Sequence, residues 1–293
     1  MQPRHSVRGS GEGVFVRIVW QFLAIAVVSL IGGQGLAAVQ GNPWLTIVVG
    51  VLTAVLSVLA YRWVVRRTER REVTELARKG AVAATGLGTL IGVGLFGLVI
   101  ANIAFLGFYQ ANGVGSVTGA LGLLGFMAAV AVGEELLWRG VLFRIVEERT
   151  GTWIALALTG VLFGLVHLIN PHASMWGAIA IAIEAGGMLT AAYVATRSLW
   201  LPIGLHFGWN LAGSAIFSTA VSGTDSQQGL LDTTLSGPML ITGGDFGPEG
   251  SLYSILFCTL ATIVFLWMAH RRGRLVPLRR RANEADVTTA PSR

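Results

Sequence analysis

The sequence predicts an all-α membrane protein, a helical bundle of about eight spans, and three observations carry that reading. Hydrophobic residues occupy 53% of the 293 positions and charged ones only 12%, giving a mean hydropathy of +0.67. Apolar runs of the length a bilayer requires, about 20 residues, recur along the chain. Lys and Arg collect in alternate connections between these runs, the asymmetry that orients a multi-span protein. So many spans leave little room for a separate soluble domain, and one domain is expected.

Residues 1–13 are polar, carry Arg4 and Arg8, and read as a cytoplasmic tail. The apolar run that follows, 14–39, has the basic start of a signal peptide but about twice the length of its apolar core, so a retained first span is expected. A second run covers 44–65. The stretch RRTERREVTELARKG, 66–80, predicts a basic cytoplasmic connector with a short surface helix, its Glu72 and Glu75 on a solvated face. A third span, 81–108, is rich in Gly, which lets helix backbones approach closely in lipid. These three spans form an N-terminal segment, 14–116. A core segment, 117–218, follows with spans at 117–143, 152–169 and 175–196 and a seventh beginning at Ser198, a helix cap, with Pro202 in its first turn. Residues 219–250 predict an extracytoplasmic polar loop, 251–270 the last span, and 271–293 a basic cytoplasmic tail.

The net charge of +6 and pI near 10.4 would suit a nucleic-acid binder, but the bases sort by membrane side. Arg4, Arg8, the bases of 66–79, Arg144, Arg149, Arg197 and the tail fall on one side. The segments 40–43, 109–116, 170–174 and 219–250 contain no Lys or Arg. Eight spans therefore put both termini in the cytoplasm of a cell (inner or plasma) membrane protein, with lipid and not nucleic acid around it. The single cysteine, Cys258, can form no intramolecular disulfide and reads as a small buried residue.

Against this background the stretch GEELLWRG, 133–140, stands out, because each charge near a bilayer centre costs roughly 2.5–3.5 kcal/mol. Glu135 and Arg139 are four apart on one helical face and can pair, whereas Glu134 is turned about 100° away and left over. Phe163 and His167 form F-x-x-x-H, and His206 and Asn210 form H-x-x-x-N, each pair again on one face. Counted along the helices from their inner edges, Glu134, His167 and His206 lie at depths of roughly 15, 22 and 13 Å. Three helices thus bring polar groups to broadly one level.

A lone intramembrane His is often a structural hydrogen-bonder, and three charges can form a purely structural ion cluster. A spare Glu level with two His suits water activation better: Glu134 as base on a water held by His167, with His206 and Asn210 donating to an oxyanion. The same Glu134, His167 and His206 are also a ligand set for catalytic zinc, with water in the open position, and the sequence leaves that alternative open. No G-x-S-x-G elbow, no H-E-x-x-H and no Asp in a span core is present. Phe163 reads as packing. Glu184 either lines a substrate path or bonds a neighbouring helix, and Asn170, before Pro171, reads as a cap or interface residue.

These motifs resemble the CAAX-processing and bacteriocin-processing (CPBP) intramembrane endopeptidases, which include the Ras-converting CAAX prenyl proteases of type 2 and the abortive-infection proteins. E-E-x-x-x-R at Glu134, Glu135 and Arg139, F-x-x-x-H at Phe163 and His167, and H-x-x-x-N at His206 and Asn210 occur in the family's order, across about 117–215. The resemblance implies an endopeptidase in which Glu134 and His167 activate water, His206 and Asn210 stabilise the oxyanion, and Glu135 and Arg139 support them. It implies a peptide or membrane-protein substrate, and leaves open whether that substrate is lipidated and whether zinc is required. Two other classes are kept beside it: a proton- or ion-coupled transporter using the same buried charges, and a non-enzymatic immunity or scaffold protein of the same family. A site entered from the cytoplasmic half of the bilayer is expected.

Overall fold

In the computed structural model, which describes residues 11–225 and 228–278, long apolar helices dominate. Arg4, Arg8 and the tail beyond residue 278 lie outside the described residues. The spans are α1 (Gly11–Val39), α2 (Pro43–Glu69), α3 (Ala81–Phe105), α4 (Val117–Thr150), α5 (Thr152–Ile169) and α6 (Met175–Thr196). After them come α7 (Trp200–Asn210, continued by Leu211–Ile216) and α8 (Leu252–Arg271). Polar residues cap several of these helices: Asn42 accepts from the backbone of Trp44 and Leu45, and Ser116, Ser174 and Ser251 each accept from a backbone N–H three residues on.

Seven of these helices are long and apolar enough to cross a bilayer by themselves, where the sequence predicts about eight spans. The exception is α7, an eleven-residue α-helix extended by six residues of π-helix. It nevertheless crosses the bundle, from Leu199, whose N–H donates to the Glu75 carbonyl, to Phe217, whose carbonyl accepts from Tyr109. Its nine buried positions, among them His206, Trp209 and Asn210, explain why: a helix sheathed by protein need not match the lipid thickness.

The seat for α7 is α3. A Cβ on Gly88 or Gly92 would overlap the backbone of Leu201, Leu205 and Trp209, and one on Gly204 or Gly208 would overlap that of Thr85 and Thr89. Two glycine pairs spaced by four thus let the helices run backbone against backbone, the close approach the Gly-rich third span predicts.

The ends of the bundle are chemically distinct. At one end Arg17 pairs with Glu148 at 2.6 Å, Arg144 with Glu69 at 2.6 Å and Arg197 with Glu147 at 2.5 Å, and the backbone after α8 joins the start of α5. Trp20, Trp63, Trp153 and Trp267, all near this end and each about 60% exposed, form the aromatic belt of a membrane interface. At the other end a cavity of about 520 Å³ takes its lining from Gln40, Ser116, Pro171, Thr219 and Gln228, so the segments free of Lys and Arg meet there.

Two expectations need correction. The connector 66–80 is solvated at Arg66, Arg67, Arg70, Glu72, Arg78 and Lys79, but not at Glu75, which is 4% exposed and accepts from Arg71 and from the Tyr61 hydroxyl, a hydroxyl that also lies against the Gly140 carbonyl on α4. Its amphipathic charge pattern disguises a buried ion network, which also lets α2 and α4 run several residues past their predicted ends. Nor is 219–250 simply a polar loop. Its strand β2 (Leu231–Leu235) pairs antiparallel with β1 (Tyr109–Val114), with an irregularity between Ala111 and Gly113. Further on, Phe246 and Glu249 turn inward and are buried.

Candidate active site

Four helices converge on the polar cluster, and all but α5 carry a π-helical segment beside it: Leu136–Phe143 in α4, Ala182–Leu189 in α6 and Leu211–Ile216 in α7. Such widened turns frequently mark functional sites because they re-aim side chains. Here they fall on Arg139, on Glu184, and just after Asn210.

Glu135 is the hub. It is fully buried, and its Oε1 accepts from Arg139 at 2.7 Å, the predicted i, i+4 pair, and from His206 Nδ1 at 2.9 Å. Arg139 also donates to the Thr190 hydroxyl at 3.3 Å and to the Ala185 carbonyl on α6, so its buried charge is met by oxygens from two helices. Its guanidinium lies over the Phe163 ring, 4.8 Å from the centroid. Phe163 therefore packs, as the sequence suggests, but it packs against the charge of the first motif.

The two histidines have definable tautomers. His167 Nδ1 lies 2.6 Å from the Phe163 carbonyl, which can only accept, so that nitrogen carries a proton and Nε2 of a neutral ring is an acceptor. His206 donates from Nδ1 to Glu135, so its Nε2 donates only when the ring is charged. Glu134 Oε2 lies 4.0 Å from that Nε2, too far for a direct hydrogen bond and close enough for one water to bridge. Glu134 is the least buried of the set, its side chain 31% exposed, and no direct hydrogen bond holds it among the described residues.

His167, His206 and Asn210 line one cavity of about 20 Å³, room for a single water. Asn210 is 5% exposed, and its side-chain amide has no hydrogen-bond partner among the described residues. Glu134 does not line this cavity. The carboxyl groups that do are Glu184 and Glu249. Helical placement marks Glu184 in the sequence, whereas Glu249 lies in a stretch rich in Gly and Pro with no helical spacing to mark it. Among the described residues no three His, Cys, Asp or Glu side chains come together as metal ligands. Asn170, expected at an interface, donates to the Ser222 carbonyl at 2.6 Å.

Fold and site together define a multi-pass helical membrane protein with a buried Glu–Arg–His cluster beside a water-sized cavity. Residues 115–212, which include all of the motif residues, match the family model described as type II CAAX prenyl endopeptidase Rce1-like. The protein of Bacillus subtilis (strain 168) named "Putative membrane peptidase YdiL" is 24% identical over 211 residues, 67% of this chain and 84% of that one. Over these stretches the chain is similar to type II CAAX prenyl endopeptidases and to a protein named as a membrane peptidase. No solved structure matches the chain significantly.

Proposed function

We propose that this protein is an intramembrane endopeptidase that hydrolyses a peptide bond with a glutamate-activated water. Glu134 is the base: it takes one proton from a water whose oxygen attacks the carbonyl carbon. His167, an acceptor at Nε2 in the adjoining cavity that His206 also lines, is assigned to hold that water. The oxyanion is met by the Asn210 amide and by His206 as an imidazolium, for which Glu135 and Glu134 are the two compensating carboxylates. The tetrahedral intermediate then collapses, the C–N bond breaks, and the proton held by Glu134 passes to the leaving nitrogen. One water is consumed. Glu135 and Arg139 do no chemistry in this reading and hold His206 and α6 in place. No step passes through a metal.

Residues 117–218 form the catalytic unit in this proposal, and the three helices of 14–116 and the last helix enclose it. The basic end of the bundle faces the cytoplasm, by the positive-inside rule. The substrate is a peptide or membrane protein, with or without a lipid anchor. Entry from the cytoplasmic half gains no support from the 520 Å³ cavity, which lies at the opposite end.

The observation that carries this reading is the Glu135 hub, which ties Arg139 on its own helix to His206 on another and leaves Glu134 free within a water's reach of the His206 ring. The test compares membrane-derived peptide fragments in cells making the wild type or Glu134→Gln. Loss of the cleavage products by a factor of at least about 10² is expected, the scale of a general base. A normally folded Glu134→Gln protein that yields the same products at the wild-type rate would sink the proposal.

A further inference from the structure

The mechanism leaves two carboxyl groups of the small cavity unused. Glu184 is 2% exposed, and neither of its carboxyl oxygens has a hydrogen-bond partner. Leaving such a group buried and unsatisfied costs free energy, so an unmet Glu184 calls for a role. Arg139 cannot supply its partner, because it is engaged by Glu135, Thr190 and Ala185, and Nδ1 of His206 is likewise committed to Glu135.

Glu249 reaches the same cavity from just before α8. Its Oε1 accepts from Trp209 Nε1 at 2.7 Å, and its Oε2 accepts from the Ser222 backbone N–H and, at 3.1 Å, from the Ser222 hydroxyl. Burial pushes the Glu249 carboxyl above its ordinary range, although the hydrogen bonds from Trp209 and Ser222 act the other way. The titratable groups facing Glu184 are Glu249 and, from α8, Cys258. His206 and His167 stand on the same cavity wall. Two carboxyl groups thus face one water-sized space with no cation committed to them.

We propose that Glu184 and Glu249 form a carboxyl pair that shares one proton and holds one water against His167, which makes Glu184 a positioning residue for the hydrolysis. The proposal rests on the peptidase reading above for its functional part only. Geometry sets the division of labour: Glu249 is fixed by three donors, while Glu184, with two vacant oxygens, is the member that can take a water's proton or lend one. Held between Glu184 and the acceptor Nε2 of His167, that water keeps the imidazole in the tautomer the Phe163 carbonyl already favours. When the shared proton is lost at alkaline pH, two negative charges face His167, and the tautomer and the water are no longer held.

Infrared spectroscopy of the purified full-length protein in lipid, at neutral pH, tests the pair directly. A protonated-carboxyl C=O band is expected in the wild type and should vanish in Glu184→Gln, with Glu249→Gln as a second variant reaching the same pair should the first fail to fold. The activity arm follows fragment release from a membrane extract against pH. Glu184→Gln should slow release at neutral pH by up to about 10²-fold and remove the alkaline fall seen in the wild type. Absence of the band in the wild type, persistence of the band in both variants, or an unchanged pH profile in Glu184→Gln would overturn the proposal. If wild type and Glu134→Gln release the same fragments, the peptidase reading fails, and the infrared result alone then decides on the pair.

Discussion

His206 Nδ1 and Glu135 Oε1 lie 2.9 Å apart, joining α7 to α4 across 71 residues of sequence. The bond fixes the ring orientation of His206 from behind and leaves Nε2 pointing toward Glu134. Because Glu135 also carries Arg139, one carboxylate serves two partners in a fully buried place.

Removing that carboxylate strands a buried guanidinium. Glu135→Ala is therefore expected to lower stability by about 3–5 kcal/mol, the cost of breaking a buried ion pair from one side. The double variant Glu135→Ala, Arg139→Leu should recover part of this loss, since no unpaired charge remains. Thermal unfolding in detergent reads both, and equal stabilities for the single and double variants would contradict the pairing.

The seam between α3 and α7 gives a paired test within one helix. A Cβ at Gly92 would overlap backbone atoms of Leu205 and Trp209, whereas one at Gly94 meets nothing within 4 Å. Gly92→Ala should cost about 1–3 kcal/mol and disturb His206. Gly94→Ala should stay within about 0.5 kcal/mol of the wild type. Similar losses at the two positions would mean that the helices do not pack as described.

Glu75 provides the pH dependence. Burial alone would raise its carboxyl, but hydrogen bonds from Arg71 and Tyr61 prevail and hold it below the ordinary value of 4.5. A carboxyl with a depressed folded value contributes stability that is fully present above the unfolded value and is lost as pH falls through the folded one. Unfolding midpoints should therefore drop as the medium is acidified below about pH 4.5, the ordinary carboxylate value. Glu75→Gln should start lower at neutral pH and lose less on acidification. Parallel curves for the two proteins would remove Glu75 as the cause.

Orientation is open to labelling, because the single native cysteine, Cys258, is buried. Asn112→Cys, on the exposed part of β1, should react with an impermeant thiol reagent from outside intact cells. Lys79→Cys, at the basic end, should react only after the membrane is opened. The reverse pattern would invert the topology.

Much of the fold was legible because its causes are local. Run length, the distribution of Lys and Arg and the glycine spacing act within one helix or at its ends, so composition along the chain was enough to place the spans in order. The i, i+4 spacing likewise announced Glu135 with Arg139 and Phe163 with His167. What only tertiary structure decided is which helices meet. The sequence alone could not tell that α7, too short for lipid, is sheathed by protein. Nor could it tell that Glu75 leaves a charged connector for the interior, that Glu135 also holds His206, or that a Gly-rich segment returns Glu249 to the cavity shared with His167 and Glu184. Each of these depends on desolvation and pairing between residues far apart in sequence, and helical periodicity carries no record of either.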